Sequence, residues 1–422
     1  MSKLGYPVFD ADNHLYETED AFTRHLPAQY RGLIKYVQVN GRTKIAVDNV
    51  ISDYIPNPTF EVVARPGALA DYFAGQNTEG KSQREIIGKP MRAVDAFRSA
   101  EPRVRLLDEL GLDAALMIPT LASLLEVRLT DDPDLTCTVI HALNEWLHDE
   151  WKFNYQGRIF STPIVNPCIP ERGIAELEWL LDKGAKVVLL RPAPVAGYRG
   201  TRSPFLEEFD PFWARVAESG VLVILHASDS GYQRYVNDWE GTTREMQAFK
   251  PNPFNDAVTP GRAINDTVTS AIAHGMLSRF PAVKLASIEN GGNWVIPCLK
   301  ALEHTYAKMP QAFAEHPRDV FLRNIWVNPF WEDSIEDLVN FMTPDHVLFG
   351  SDYPHPEGMA DPLGWAKEIG ELFPAADVQK MMGANMYQLL DLTPKGRDES
   401  GLPHSMAWLH RHDAYPDASP GA

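Results

Sequence analysis

Four short stretches of this chain carry side chains able to hold a cation and move a proton. Near the start, Val8-Phe9-Asp10-Ala11-Asp12-Asn13-His14 sets an acid or an imidazole at every second residue. In an extended chain that alternation turns Asp10, Asp12 and His14 to one side. The apolar run 221–225 ends directly in His226. The run 283–288 ends in Glu289-Asn290-Gly291-Gly292, and the run 346–351 in Asp352-Tyr353-Pro354-His355. Two imidazoles with two or three carboxylates suit a borderline divalent cation such as Zn, Mn or Fe(II). Taken singly, each residue also fits a structural role: a lone His behind a strand commonly just makes hydrogen bonds, and D-x-H arises by chance. The signal is that all four stand at the end of an apolar run.

Those runs set the elements that must do the positioning. Stretches 114–118, 159–165, 186–190, 221–225, 283–288, 325–327 and 347–349 are apolar with little alternation, which predicts strands buried on both faces of a parallel sheet. Helical spacing fills the intervals at 134–150, 171–181, 209–219, 264–280, 295–306, 332–342 and 377–389, with Gly184 and Gly220 where a helix should stop. With Val8 and Phe9 in front, there are eight strand–helix units, the number that closes a (β/α)8 barrel. An open doubly wound sheet is the alternative. In a barrel the working groups stand at the C-terminal ends of the strands, where the four stretches fall.

Residues 30–102 break the rhythm. Residues 36–39, Asn40-Gly41 and residues 42–47 read as a β-hairpin on a type I′ turn, followed by Pro- and Gly-rich chain around Pro56, Pro58, Pro66 and Gly67. An insertion after strand one lies at the barrel mouth, so it is expected to be a lid or substrate wall, or else a dimerising hairpin. The expected organisation is a barrel over residues 1–392 with this insertion, and a Pro/Gly/His-rich tail over 393–422 that includes Trp408 and Tyr415.

The chain has 422 residues, 44% of them apolar and 10% aromatic, enough to bury a large core and inconsistent with disorder. With 39 basic and 57 acidic residues its net charge is −18, which disfavours nucleic acid and anionic membranes as partners. Cys137, Cys168 and Cys298 are odd in number and form no CxxC, so buried thiols in a cytoplasmic protein are expected. No apolar run approaches a membrane span or a signal peptide. The signatures GxSxG, HExxH, GxGxxG and the P-loop are missing from the sequence.

The order D-x-H, His226 behind strand five and G-S-D-Y-P-H-P behind strand eight resembles the amidohydrolase superfamily. FPAVKLASIENGGNWVIP and HVLFGSDYPHPEG resemble in particular the amidohydrolase-2 branch related to aminocarboxymuconate semialdehyde decarboxylase. The resemblance covers most of the chain and is weakest in 30–102 and after 392. It implies a distorted (β/α)8 TIM barrel, a homodimer, and a metal held by Asp12, His14, His226 and Asp352. Three positions depart from the pattern. Asp12 stands where many members have His; Arg191, behind strand four, cannot ligate; and Glu289 stands where the decarboxylases of this branch carry His.

The Glu289 departure shapes the mechanistic expectation. One or two divalent ions (Fe, Zn or Mn) would activate water to hydrolyse an amide, ester, lactone or thioester-like bond. Asp352 would act as base, Glu289 as a second base or a ligand to a second cation, His355 as oxyanion donor and Arg191 as an anion clamp. Tyr16, Phe254, Asn290, Trp294, Phe330, Trp331 and Tyr353 are expected around a largely apolar small-molecule substrate, although core packing accounts for many aromatics. The alternative is a metal-dependent non-oxidative decarboxylase of an aromatic or unsaturated acid. A third reading is a metal-free binding protein that kept the barrel.

Overall fold

A computed structural model describes residues 4–394. The tail expected over 393–422, with Trp408 and Tyr415, falls outside the described residues apart from its first two positions. Parallel pairing runs from Phe9–Asp10 (β1) to Ala114–Pro119 (β2) and on to Ile159–Ser161 (β3). Val187–Leu190 (β4), Leu222–His226 (β5), Lys284–Ile288 (β6) and Ile325–Val327 (β7) pair in register with one another. Bridges and hydrogen bonds join these two groups into a ring. Ile164 bridges Leu189, Val327 bridges Val347, and the Ala11 amide donates to the Phe349 carbonyl at 2.8 Å. The chain is thus a distorted (β/α)8 barrel, most distorted at its first strand and around residues 347–349. Strands β2 to β6 are buried nearly throughout, as their unbroken apolar runs require.

The helices follow the apolar spacing with informative exceptions. Pro133–Trp151 starts on an Asp132 cap that accepts from the Leu135 amide, with Pro at the first turn. The helix expected over 264–280 divides into Arg262–Ala273 and Met276–Arg279, because Gly275 adopts φ 73° between them. The helix expected over 377–389 is kinked at Gly383, whose Cβ, were it present, would lie 2.6 Å from the Pro7 carbonyl oxygen. A helix at Ala100–Leu110 begins in the last residues of the stretch read as insertion and runs mostly beyond it.

The insertion contains the expected hairpin. Ile34–Val39 pairs with Arg42–Val47 across Asn40 (φ 50°) and Gly41 (φ 74°), the two left-handed residues of a type I′ turn. Val50–Ser52 adds a third strand, and Val62–Val63 pairs with Met91–Arg92. Polar contacts tie this unit to the loop after β5. Glu245 accepts from Ser52 Oγ (2.6 Å) and the Asp53 amide (2.7 Å) and pairs with Arg128, while the Ala248 amide donates to the Tyr54 carbonyl.

Candidate metal centre and active site

The barrel brings Asp12, His14, His226, Glu289 and Asp352 to one point at its mouth. His14 Nε2 lies 3.3 Å from Asp12 Oδ1, 3.4 Å from Glu289 Oε2 and 3.4 Å from Asp352 Oδ1. His226 Nε2 lies 2.8 Å from Glu289 Oε2 and 3.3 Å from His14 Nε2. Asp12, His14, His226 and Glu289 form one group able to hold a cation; His14, Glu289, Asp352 and His355 form a second that shares two members with it.

The local chain explains this convergence. β1 stops at Asp10, and the chain pairs again only at His14–Leu15. Asp10 does not face the cluster as a ligand. It accepts from Ser351 Oγ (2.6 Å), the Ser351 amide (2.9 Å), Asn13 Nδ2 (2.9 Å) and the Asp12 amide (3.1 Å), and so ties strand one to strand eight. Strand eight can pass so close because residue 350 is glycine: a Cβ there would stand 2.5 Å from that of Asp12. Glu289 and Asp352 both have φ 54°, a left-handed backbone unusual for these residues and held here by the surrounding structure. The Glu289 amide donates to Asn328 Oδ1 and the Asp352 amide to the Asp12 carbonyl.

The donor set fits a divalent ion. His226 Nδ1 sits 2.7 Å from the Ala227 carbonyl, so it carries the proton and Nε2 presents its lone pair to the cluster. Asp12 Oδ1 is buried and faces only the imidazoles, 3.3 Å from His14 Nε2 and 3.8 Å from His226 Nε2. Lone pairs of two imidazoles and three carboxylates facing each other across about 3 Å call for a positive charge between them. The pKa values express the same need. Burial opposes a charged His226, but the Glu289 charge and bonds to Asp12 and Glu289 carry it up to about 10. Burial and the neighbouring charges of Glu289, Glu357 and Asp12 hold Asp352 well above the carboxylate range. Burial and the adjacent His14 keep His355 well below its ordinary value.

Above the cluster lies a cavity of about 390 Å³, a typical size for a small-molecule site. Its floor is His14, His226, Glu289 and His355, and much of its wall comes from the insertion, including Tyr54, Ile55, Phe60, Val62 and Val63. Four rings step upward from the cluster at shallow angles. His14 and His355 lie 3.9 Å apart at 32°, His355 and Tyr16 5.9 Å at 23°, and Tyr16 and Phe60 4.4 Å at 9°. His355 Nδ1 is 2.6 Å from Asp352 Oδ1, and its Nε2 is 3.1 Å from Thr120 Oγ1.

Several expected site residues stand elsewhere. Arg191 does not line the cavity: its Nε is 3.3 Å from Glu126 and it donates to the Asp229 and Pro194 carbonyls, which leaves it no reach to a substrate anion. Asn290 braces strand ends by donating to the Leu225 and Ile288 carbonyls and lines a smaller neighbouring cavity that shares Glu289. Trp294 is buried with its indole N–H on the Gly291 carbonyl. Tyr353 is fully buried, edge-on to Phe97 and under the Arg103 guanidinium. Glu17, three residues past His14, is buried and accepts from the Leu121 and Ala122 amides. Thr120 and Glu357 were not expected at the site, yet both line the cavity. Thr120 follows β2 without any titratable signal, and Glu357 follows the quoted GSDYPHP motif within the same loop. Among the described residues no helix is long and apolar enough to cross a membrane.

Comparison with known proteins identifies the family. A family model described as amidohydrolase matches residues 68–392. The crystal structure of an amidohydrolase from Mycobacterium avium subsp. paratuberculosis is 36% identical, with a TM-score of 0.86 over 94% of this chain and 99% of that one. The chain belongs to the amidohydrolase family. It is 27% identical over 155 residues to 6-methylsalicylic acid decarboxylase of Penicillium expansum, spanning 35% of this chain and 43% of the relative. Its match to 2-amino-3-carboxymuconate-6-semialdehyde decarboxylase of Dictyostelium discoideum is 28% identical over 30% of this chain and 36% of the relative. The matches thus span less than half the length of these two curated relatives. These relatives overturn the expectation of hydrolysis, since both are decarboxylases. The geometry gives a reason for the correction. Glu289, which suggested a second cation and attacking water, stands 2.8 Å from His226 and belongs to both cation-holding groups, below a cavity walled largely by apolar side chains.

Proposed function

We propose that this chain is a divalent-metal-dependent, non-oxidative decarboxylase of an aromatic or unsaturated carboxylic acid. The observation that carries the reading is the cation cluster at the foot of an apolar cavity whose wall is the ring series His14, His355, Tyr16 and Phe60. Such a wall suits a flat, conjugated acid standing with its carboxylate on the cluster. The relatives described as decarboxylases support the same chemistry.

Asp12, His14, His226 and Asp352 would hold the ion, with Glu289 as a further ligand. Fe, Zn and Mn all suit that donor set. When bound, the ion supplies the positive charge that neutralises and orients the substrate carboxylate. The residues of the chain do the rest. The wall fixes the ring and keeps water from the reacting carbon. The Asp352–His355 pair, 2.6 Å apart, carries the proton that ends on the carbon losing its carboxylate, as the C–C electron pair stays with that carbon and CO2 departs. The insertion acts as a lid in this reading. A cytoplasmic location is part of it, supported by three free thiols, and so is a homodimer, which sedimentation would test.

The test is to load the purified protein with Mn(II), Zn(II) or Fe(II) and offer ortho-hydroxyaryl carboxylates in deuterated water. CO2 release with one deuterium at the vacated carbon, abolished by a chelator and restored by metal, is expected. Metal-loaded protein that releases no CO2 from any of them would overturn the proposal.

A further inference from the structure

The charge inventory of the cavity narrows the substrate. The cluster at its foot can neutralise one anionic group. Away from that cluster the wall is Ile55, Phe60, Val62, Val63 and Phe249, and no Lys or Arg lines the cavity among the described residues. Its polar groups beyond the cluster are neutral (Tyr16, Tyr54, Asn57 and Thr120), apart from a second carboxyl, Glu357. On the other side of Glu289 lies a neighbouring cavity of about 230 Å³ that shares Ala227 and Glu289 with the first. It also lacks Lys and Arg and adds the carboxyl of Asp229. The nearby Arg191 is occupied by Glu126 and by backbone carbonyls, including that of Asp229.

We infer that the site takes a hydrophobic monocarboxylic acid: one carboxylate at the cluster, on an aromatic body whose far end is apolar and uncharged. A second anionic group on the substrate would leave water for an apolar wall or for a carboxyl, with no cation to receive it. The volume exceeds that of a single ring, so the apolar end has room for a further ring or an alkyl group. This deepens the decarboxylase reading and rests on it for the placement of the carboxylate.

Two probes differing in one distal carboxylate test it: 5-phenylsalicylate and 5-(4-carboxyphenyl)salicylate, each titrated into the Mn(II)-loaded enzyme and assayed for CO2 release. The monoacid is expected to bind at least about a hundredfold more tightly, the order of penalty for an unpaired buried charge. Val62→Arg, which sets a cation on the far wall, should improve binding of the diacid and narrow the gap. Equal binding of the two acids by the wild type would overturn the inference, as would no binding of the monoacid. These outcomes need no variant and survive misfolding of Val62→Arg. Equal turnover of both acids would sink this inference and leave the decarboxylase reading standing. A preserved binding gap with no CO2 from either acid would do the reverse.

Discussion

The floor and the roof of the cavity are built in opposite ways. The floor gathers Asp12, His14, His226, Glu289 and Asp352 from four strand ends separated by up to 340 positions, each fixed by buried backbone or side-chain hydrogen bonds. The roof comes largely from one continuous insertion whose contribution is apolar, and a few polar contacts around Glu245 tie it to the loop after β5. A barrel holds its strand ends rigidly because each strand is bonded on both sides, so chemistry that tolerates little displacement belongs there. A loop unit bonded at its edges can vary in shape without disturbing the ring. In the proposed function the floor would therefore set the reaction and the roof which acid enters.

The contrast predicts where substitutions act. His226→Ala should have the largest effect. It removes a ligand, so metal content measured after dialysis should fall, and metal affinity should drop by more than the roughly 10–100-fold that changes behind the ligands cost. Activity should vanish while circular dichroism stays unchanged. His355→Gln comes next: metal content stays at the wild-type level while kcat falls by about 10²–10⁴-fold, as for loss of a proton carrier. Metal loss in this variant would instead make His355 a ligand and redraw the floor.

Beneath the floor, buried carboxyls should make stability depend on pH. Burial raises Glu17 to about 7, against the amides of Leu121 and Ala122 that favour its charge. The folded protein thus binds a proton that the unfolded chain has released, so stability present below about pH 4.5 is lost as pH rises towards 7. The contribution is of the order of 3 kcal/mol. Thermal unfolding of Glu17→Gln should show a flatter loss between pH 5 and 7 than wild type; an identical slope would mean that Glu17 is charged in the folded protein.

The roof should respond most weakly. Glu245→Ala releases Ser52 Oγ, the Asp53 amide and Arg128, and hydrogen bonds to a charged group are worth about 1.5–3 kcal/mol each. Faster proteolysis within residues 30–102 and a raised KM are expected, with metal content and kcat near wild type. If kcat fell as far as in His355→Gln, the separation of floor and roof would fail.

Much of the floor was legible because its residues follow apolar runs that can only be buried strands. Asp12, His14, His226, Glu289 and Asp352 each sit at such a boundary, and a barrel sends strand ends to one face. The same logic placed Trp294 and Tyr353 at the cavity, where both are instead buried, and Asn290, which lines only the neighbouring cavity. A residue beside a ligand can turn back into the protein, and Trp294 does so to bond the Gly291 carbonyl. Arg191 was misread because its partner Glu126 lies 65 positions away, on a helix with no pattern linking the two. Thr120 carries no charge to draw notice, and only the approach of His14 and His355 gives it meaning.

The sequence by itself determined the strand–helix alternation, the hairpin on Asn40-Gly41, the acidic surface balance and the ligand types, because periodicity, turn chemistry and side-chain charge are local properties. Tertiary structure alone decided that five candidate ligands converge in two overlapping groups, that Asp10 braces strand eight, and that the insertion makes an apolar wall without a cation. Those outcomes depend on distances between segments far apart in the chain. Closure of the barrel fixes such distances, and no local pattern encodes them.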